Sequence, residues 1–293
     1  MPLYPVFSFP LIIGLVLPSW VLGLPSRFIQ YLPSGEPASA VMWATGSALI
    51  LAAAAWLRAL TVGGMFGAWI MGMLIFLAGG WTWMWPMIAF FILSSALTRI
   101  KHPSTRLTDT DQRNLVQVFA NGGIPLTVAG AYGIWPLDGL YFIFLAALAG
   151  STADTWGTEI GSWSRSQPRD IVTWQLVEHG TSGGVTLLGA TGSLVGAAAL
   201  GGVGYGLQPE GIGLSGWLAI TLIGFLAALV DSLLGATLQA RYRIIATNEI
   251  TEHRPADSQR AVLHRGWGWL DNNRVNLACS LSGAALGWLW LIG

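Results

Sequence analysis

Long apolar runs recur along the whole chain, and they restrict it to one class of fold. A membrane crossing needs about 20 residues. On that scale the runs define nine candidate spans, at 3–24, 39–57, 61–79, 82–98, 115–135, 138–155, 183–205, 213–237 and 274–292. Only 10% of the 293 residues are charged, whereas soluble domains are about a quarter charged. We therefore expect one all-α, polytopic membrane domain over residues 1–293, with about nine transmembrane or re-entrant helices.

Three long polar segments, 99–114, 156–182 and 238–273, predict how the chain lies across the membrane. Twelve of the 14 lysine and arginine residues lie in these segments or, for Arg274, directly after one. All three segments follow even-numbered spans, so they share one side of the membrane. The positive-inside rule makes that side cytoplasmic, together with the N-terminus. We expect a plasma (inner) or thylakoid membrane location and no nucleic-acid partner, although the net charge of zero argues neither way.

Two aspartates close apolar runs that should lie inside the bilayer. Asp154 ends the run 140–154 and Asp231 ends the run 218–231. A carboxylate near hydrocarbon costs roughly 3 kcal/mol or more, and a helix C-terminus disfavours negative charge. Two such placements predict one cation site, for Mg²⁺, built from two helices. Glu159 lies about 140° round an unbroken helix from Asp154, so it can share the metal only if the chain unwinds near Gly157.

The other polar residues of the spans are expected at the same membrane face. They are Asn114, Gln117 and Asn121 on one side of span five, Thr181, Ser182, Gly183 and Gly184 at the start of span seven, and Asp271, Asn272 and Asn276 at the start of span nine. Helix N-termini bind anions through free N–H groups, and Mg²⁺ binds carboxylates together with phosphate oxygens. This combination is typical of phosphoryl transfer. Two plainer readings stay open: the Thr-Ser-Gly-Gly run as a simple turn and cap, and the amides as links between helices.

Five ordered motifs carry a family resemblance that covers most of the chain after residue 40. They are Arg113-Asn114-x-x-Gln117-Val118-x-Ala120-Asn121-Gly122-Gly123, Ala153-Asp154-Thr155-Trp156-Gly157-Thr158-Glu159-Ile160-Gly161, Gly180-Thr181-Ser182-Gly183-Gly184-Val185, Asp231-Ser232-Leu233-Leu234-Gly235-Ala236 and Trp269-Leu270-Asp271-Asn272-x-x-Val275-Asn276. Together they resemble the integral membrane family that includes plant and cyanobacterial phytyl-phosphate kinase. The resemblance implies a fold like that of the polyprenol kinases and, more distantly, the phosphatidate cytidylyltransferases. One departure is that the stretch before Gly180 reads Gln175-Leu176-Val177-Glu178-His179, without the lysine that the family pattern leads us to expect. Either Arg165 or Arg169 supplies the missing charge, or the nucleotide preference differs.

The resemblance implies a kinase that uses a nucleoside triphosphate, with CTP expected, to convert an isoprenoid monophosphate such as phytyl phosphate to its diphosphate. In this interpretation the polar residues have four roles: metal binding by Asp154, Asp231 and Glu159; phosphate binding by Thr181, Ser182, Gly183 and Gly184; positioning by Asn114, Gln117, Asn121, Asp271, Asn272 and Asn276; and charge neutralisation by Arg113 and Arg169. Two alternatives remain. A cytidylyltransferase would use the same site and release pyrophosphate, and an ion-coupled transporter would also have intramembrane carboxylates, although nearer the midplane.

Overall fold

A computed structural model describes residues 59–101, 112–252 and 261–293. The predicted spans 3–24 and 39–57 lie outside these residues. The described chain forms six long helices: α1 (Val62–Lys101), α2 (Leu115–Ile134), α3 (Leu140–Gly161), α4 (Leu187–Leu207), α5 (Pro209–Thr237) and α6 (Asn272–Ile292). By length and composition, four of them, α1, α4, α5 and α6, can cross a membrane. The chain is therefore mostly helical as predicted, while the number of nine helices stays a prediction.

Helix α1 consists of two antiparallel arms. Gly80 has a positive φ of 69°, a conformation that glycine adopts without steric cost. A Cβ atom added to Gly72 would lie 3.1 Å from Cε of Met84, yet twelve residues of straight helix would separate the two by about 18 Å. The chain therefore turns back at Gly80, in agreement with the separate spans predicted at 61–79 and 82–98.

Helix α3 is the centre of the bundle, and every residue from 141 to 153 is buried. Its neighbours approach it through glycines that leave no room for a side chain. A Cβ atom added to Gly192 of α4 would lie 2.9 Å from Ile160, and one added to Gly224 of α5 would lie 2.9 Å from Ala149. A Cβ atom added to Gly283 of α6 would lie 2.6 Å from the Ala146 oxygen. Close backbone approach through small residues is the usual way in which membrane helices associate. The bundle is therefore held by tight packing around one buried helix.

Short strands, which the all-α prediction missed, lie in or directly beside the polar segments. Strands β1 (Arg169–Asp170) and β2 (Gly184–Val185) pair antiparallel. Strands β3 (Arg241–Ile244), β4 (Ile250–Thr251) and β5 (Ala261–Arg265) form a second antiparallel sheet in the order β4-β3-β5. Strands of two to five residues are too short to produce a clear alternation of polar and apolar residues, which is the sequence signal for a strand.

Contacts at the helix ends place the described polar segments at one end of the bundle. Leu60, before α1, forms a backbone bridge with Arg113, before α2. At the end of α1, Thr98 donates a hydrogen bond of 2.8 Å to Glu159, near the end of α3. Beyond α5, the Ala240 N–H donates to the Leu270 oxygen, just before α6. The candidate site therefore lies at a single end of the bundle, which the charge distribution predicts to be cytoplasmic.

Candidate functional site

Helices α3 and α5 run parallel and bring Asp154 and Asp231 together. A Cβ atom on Gly224 would lie 2.9 Å from Cβ of Ala149, and one on Gly150 would lie 3.0 Å from Cβ of Ala227. One turn further along each helix are the two aspartates, whose carboxyl groups are close enough to interact with each other. The close crossing of the two helices thus produces the carboxylate pair.

The aspartates lie inside their helices rather than at the C-termini expected from the sequence. Helix α3 continues for seven residues beyond Asp154, and α5 continues for six beyond Asp231. The effect of the helix dipole is confined to about the last turn, so it does not act on either carboxylate. The sequence misled here because the polar residues after Asp154 suggested a loop, whereas they form the half-buried last turns of α3.

The carboxylate pair has no counter-ion among the described residues. Two ionised carboxylates can accept hydrogen bonds but cannot donate them, and Oδ2 of Asp231 is buried without a hydrogen-bond donor in the described part of the chain. The Thr155 hydroxyl, next to Asp154, donates to the Ser151 oxygen at 2.9 Å. Neighbouring like charges away from water require a cation or a shared proton. The pair is therefore a candidate cation site.

The available ligands suit Mg²⁺ when phosphate is also present. Within the described ranges, no group of three or more His, Cys, Asp or Glu side chains could hold a metal ion. Asp154 and Asp231 would supply two carboxylates, and Mg²⁺ is usually bound by one or two carboxylates, substrate phosphates and water. The donor set thus fits the predicted cation as part of a metal–phosphate complex.

Glu159 is not brought to the carboxylate pair. Helix α3 is continuous through Gly157, so the unwinding that a shared metal required does not occur. Gly157 instead lets α4 approach, because a Cβ atom there would lie 3.3 Å from the Gly189 oxygen and would also overlap the Ser193 hydroxyl. Glu159 accepts from Thr98, and its charge acts on Arg113. Because α3 does not unwind, the predicted role of Glu159 as a third metal ligand is corrected.

Two of the three amides in α2 have a structural role. The Asn114 side chain accepts from the Gln117 N–H at 3.0 Å, and the Gln117 side chain accepts from the Asn114 N–H at 2.8 Å. This reciprocal capping box satisfies free N–H groups at the start of the helix. Asn121 is buried, and its backbone oxygen accepts from the Ser151 hydroxyl at 3.0 Å. Asn121 therefore lies nearest to the turn of α3 that precedes Asp154.

Replacing Asn114 with alanine is expected to destabilise the protein by about 1 kcal/mol, because the cap of α2 is lost. Asn114→Ser should restore most of the stability, since serine also caps helices. Thermal unfolding of the purified protein in detergent measures both effects. A phosphate ligand at this position would behave differently: turnover would fall in both variants, whatever their stability.

The Thr-Ser-Gly-Gly run forms a turn that packs against the end of α5. Gly183 has a positive φ of 81°, and a Cβ atom there would lie 2.6 Å from the Ala236 nitrogen. Gly184 pairs with Asp170 in the β1–β2 sheet, and the Thr181 oxygen accepts from the Gly184 N–H at 2.9 Å. Both glycines thus serve backbone packing, and Ser182 uses its N–H and hydroxyl to contact a distant segment of the chain.

The donors of Ser182 already hold an anion. Its N–H donates to Oε1 of Glu252 at 2.9 Å, and its hydroxyl donates to Oε2 of the same carboxylate. Buried Gln239 donates to Glu252 Oε2 at 3.0 Å, and Nε of Arg241 lies 3.6 Å from Oε1. Sequence analysis missed Gln239, Arg241 and Glu252, because contacts across 57 to 70 residues leave no local pattern. The turn that the sequence predicts as an anion site therefore binds a carboxylate of the same chain.

Ser182 is close to the carboxylate pair. A Cβ atom on Gly235 would lie 3.1 Å from Cβ of Ser182, and Gly235 follows Asp231 by one turn of α5. Four residues of helix correspond to a rise of about 6 Å. A polyphosphate chain bound at Ser182 could therefore reach a cation held by Asp154 and Asp231.

The positive charge near Ser182 comes from Arg241 rather than from Arg165 or Arg169. Arg169 is exposed, donates to the Trp174 oxygen at 2.9 Å and lies over the Trp174 ring. Arg165 is also exposed. Arg241 donates to the Ser182 oxygen at 2.6 Å. Arg241 of β3 therefore supplies positive charge beside the Ser182 turn, while the role of Arg169 stays a prediction.

The residues that open α6 divide into a cap and one candidate for the site. Asp271 caps the helix by accepting from the Arg274 N–H at 3.0 Å, and Asn272 is exposed. Cys279 packs opposite Gly150 of α3, because a Cβ atom added to Gly150 would lie 3.4 Å from the Cys279 oxygen. Since α3 and α6 are antiparallel, Asn276 is level with the turn of Asp154. Asp271 and Asn272 lie further out.

An apolar cavity of about 90 Å³ opens between the arms of α1 and the start of α2. Its wall includes Met65, Trp69, Met87 and Phe91, and its polar lining residues are Arg113, Gln117 and Asn121. The Arg113 guanidinium lies 5.9 Å from the centre of the Phe90 ring. The cavity thus combines a long apolar wall with a cationic end beside α3.

The family model described as Integral membrane protein DUF92 matches residues 45–284. The chain belongs to this family. Membership in an integral membrane family, as the motifs predicted, is confirmed. The match includes every candidate site residue from Arg113 to Asn276, so the carboxylate pair and the Ser182 turn belong to the family's own part of the chain.

Three relatives match this chain over most of their own length. An uncharacterized membrane protein of Methanocaldococcus jannaschii is 30% identical over 235 residues, which cover 78% of this chain and 85% of the relative. Protein PGR of Arabidopsis thaliana is 31% identical over 67% of this chain and 76% of its own. An uncharacterized membrane protein of a Synechocystis strain is 28% identical over 81% and 85%, respectively. No solved structure matches the chain.

Proposed function

We propose that the chain is a membrane-embedded kinase that transfers the terminal phosphoryl group of a nucleoside triphosphate, CTP being the expected donor, to an isoprenoid monophosphate such as phytyl phosphate. The observation that carries this proposal is the Asp154–Asp231 pair, which lies in a helical bundle without a counter-ion among the described residues. Its position at the polar end of the bundle favours an enzyme over an ion-coupled transporter, whose site would lie near the midplane.

The carboxylate pair suits phosphoryl transfer because both substrates are anionic. Asp154 and Asp231 would hold Mg²⁺, which when bound neutralises charge on the phosphates of the donor and the acceptor. The two parallel helices fix the carboxylates before any substrate arrives, so little reorganisation is required during the reaction. The remaining groups of the site have to bind the two phosphates from opposite sides.

The donor would bind at Ser182, one turn of α5 beyond Asp231. The N–H and hydroxyl of Ser182, with Arg241 beside them, form a set of donors for an anion. Backbone N–H groups combined with arginine are well suited to phosphate oxygens. This arrangement supports a donor whose terminal phosphate reaches inward to the carboxylate pair.

The acceptor would bind with its chain in the apolar cavity and its phosphate at Arg113. The cavity walls are apolar and Arg113 lies at the end near α3. An acceptor phosphate oxygen attacks the terminal phosphorus of the donor, the bond to the leaving oxygen breaks, and a nucleoside diphosphate departs. The second pKa of a phosphate monoester is about 6, so the acceptor is already a dianion and no general base is required.

Analysis of both products tests the proposal. Purified protein is incubated with Mg²⁺, each labelled nucleoside triphosphate, and phytyl, geranylgeranyl or farnesyl monophosphate. We expect an isoprenoid diphosphate together with CDP. Release of pyrophosphate would indicate a cytidylyltransferase instead, and the absence of diphosphate with every pair of substrates would contradict the kinase.

Replacing Arg113 with glutamine should raise the KM for the isoprenoid monophosphate by roughly tenfold or more, because a charge-assisted hydrogen bond contributes about 1.5–3 kcal/mol. The KM for the nucleotide should change little. Arg243→Gln is the matched control, since Arg243 is an exposed arginine of β3. Equal increases in both KM values would count against an acceptor site at Arg113.

A further inference from the structure

Two arginines face each other on strands β3 and β5, next to the Ser182 turn. Arg241 of β3 is the direct cross-strand partner of Arg265 of β5, and like charges opposite each other are unfavourable in a sheet. Burial, and then the charge of Arg265, lower the pKa of Arg241, whereas Glu252 and Asp170 raise it. Nε of each arginine is buried without a hydrogen-bond partner in the described residues. The arginine pair therefore needs an anion.

Glu252 occupies the place of that anion. Its carboxylate accepts from the N–H and hydroxyl of Ser182 and from Gln239, and it forms an ion pair with Arg241. Asp170 is less available, because its Oδ1 accepts three hydrogen bonds in its own turn, from the N–H groups of Val172 and Thr173 and from the Thr173 hydroxyl. One exposed edge remains, since 26% of the Glu252 side-chain surface is accessible. This carboxylate can therefore leave without crossing the core.

We propose that the cluster of Ser182, Gln239, Arg241 and Arg265 is the polyphosphate-binding site, and that Glu252 is an internal substitute anion which the nucleotide phosphates displace. This inference rests on the proposed function, because it assigns the donor's binding site. A phosphate group can accept hydrogen bonds from the same donors, and arginines bind phosphate in a bidentate manner. A triphosphate also carries more negative charge than one carboxylate, so it satisfies both guanidinium groups.

The displacement has a measurable consequence for affinity. A protein whose site is available only part of the time binds its ligand more weakly by that fraction. Glu252 therefore keeps the affinity for polyphosphate below the value that the arginine pair could give. Removing its charge should free the site.

The test measures the binding of inorganic triphosphate and of CTP, each with Mg²⁺, to the full purified chain by calorimetry. Glu252→Gln should bind both ligands about tenfold more tightly, as expected if the free site is available roughly a tenth of the time. Glu249→Gln is the matched control, because it removes the same charge from an exposed position in the β3–β4 turn; its affinity should change less than twofold. Arg241→Gln and Arg265→Gln should each weaken binding at least tenfold.

Unchanged or weaker binding by Glu252→Gln would overturn the inference and leave Glu252 as a purely structural anion. Glu252→Ala serves as a second variant, and thermal unfolding establishes that each variant is folded. Inorganic triphosphate separates this inference from the proposed kinase, because its binding needs neither a lipid nor transfer. Tighter binding without turnover would support the site and contradict the kinase. Turnover without tighter binding by Glu252→Gln would support the kinase and contradict the proposed polyphosphate site.

Discussion

Replacing either Asp154 or Asp231 with asparagine is expected to lower the rate of isoprenoid diphosphate formation by about 100-fold or more, while the protein stays folded. Loss of one group that stabilises transition-state charge typically costs this much. Because both carboxylates belong to one site, the double variant should be little worse than the poorer single variant. Initial rates at saturating CTP measure these effects.

The same substitutions should leave the thermal stability unchanged or raised when divalent cations are absent. The two carboxyl groups interact with each other, so neutralising one removes the repulsion between like charges. Asp138→Asn is the control, since Asp138 is an exposed carboxylate in the connection from α2 to α3. Near-normal turnover in either site variant would assign that aspartate a structural role.

Replacing Gly224 with valine is expected to destabilise the protein by about 1–3 kcal/mol, the usual cost of overpacking a core, and to abolish turnover. A Cβ atom at Gly224 would lie 2.9 Å from Cβ of Ala149 and 2.9 Å from Cβ of Ala197. The substitution therefore forces α3, α4 and α5 apart where the three helices meet. Since Asp154 and Asp231 lie one to two turns further along α3 and α5, the carboxylates should separate as well.

Gly130→Val in α2 is the matched control, because an added Cβ atom there meets nothing within 4 Å. The control should keep near-normal stability and turnover. Thermal unfolding in detergent and the diphosphate assay report on the two effects separately. A Gly224→Val protein with wild-type stability and turnover would show that the close crossing of α3 and α5 is not needed to hold the carboxylate pair.

The carboxylate pair could be predicted from the sequence because a carboxylate near hydrocarbon is energetically unfavourable. An aspartate at the end of an apolar run requires a binding partner or a function, and two at the same depth suggest one site. The depth of Asp154 and Asp231 could be read from the runs, but the length of their helices could not. The polar residues from 155 to 161 look like a loop in sequence, although they complete α3.

Other parts of the site could not be predicted because their signals are ambiguous or non-local. A glycine permits both unwinding and close packing, and at Gly157 the structure uses the second. The i, i+3 spacing of Asn114 and Gln117 predicted a shared face, but the same spacing also suits the capping box that they form. Glu252 reaches Ser182 across 70 residues, so only the three-dimensional structure reveals the anion at the turn.

Binding of Mn²⁺ in place of Mg²⁺ tests the central claim most directly, namely that Asp154 and Asp231 together hold a divalent cation. Electron paramagnetic resonance counts the bound ions on the purified full chain in the presence of a non-hydrolysable CTP analogue. We predict one tightly bound ion per wild-type chain, its loss in both Asp154→Asn and Asp231→Asn, and its retention in Asp138→Asn. Undiminished Mn²⁺ binding in the two site variants would contradict the claim.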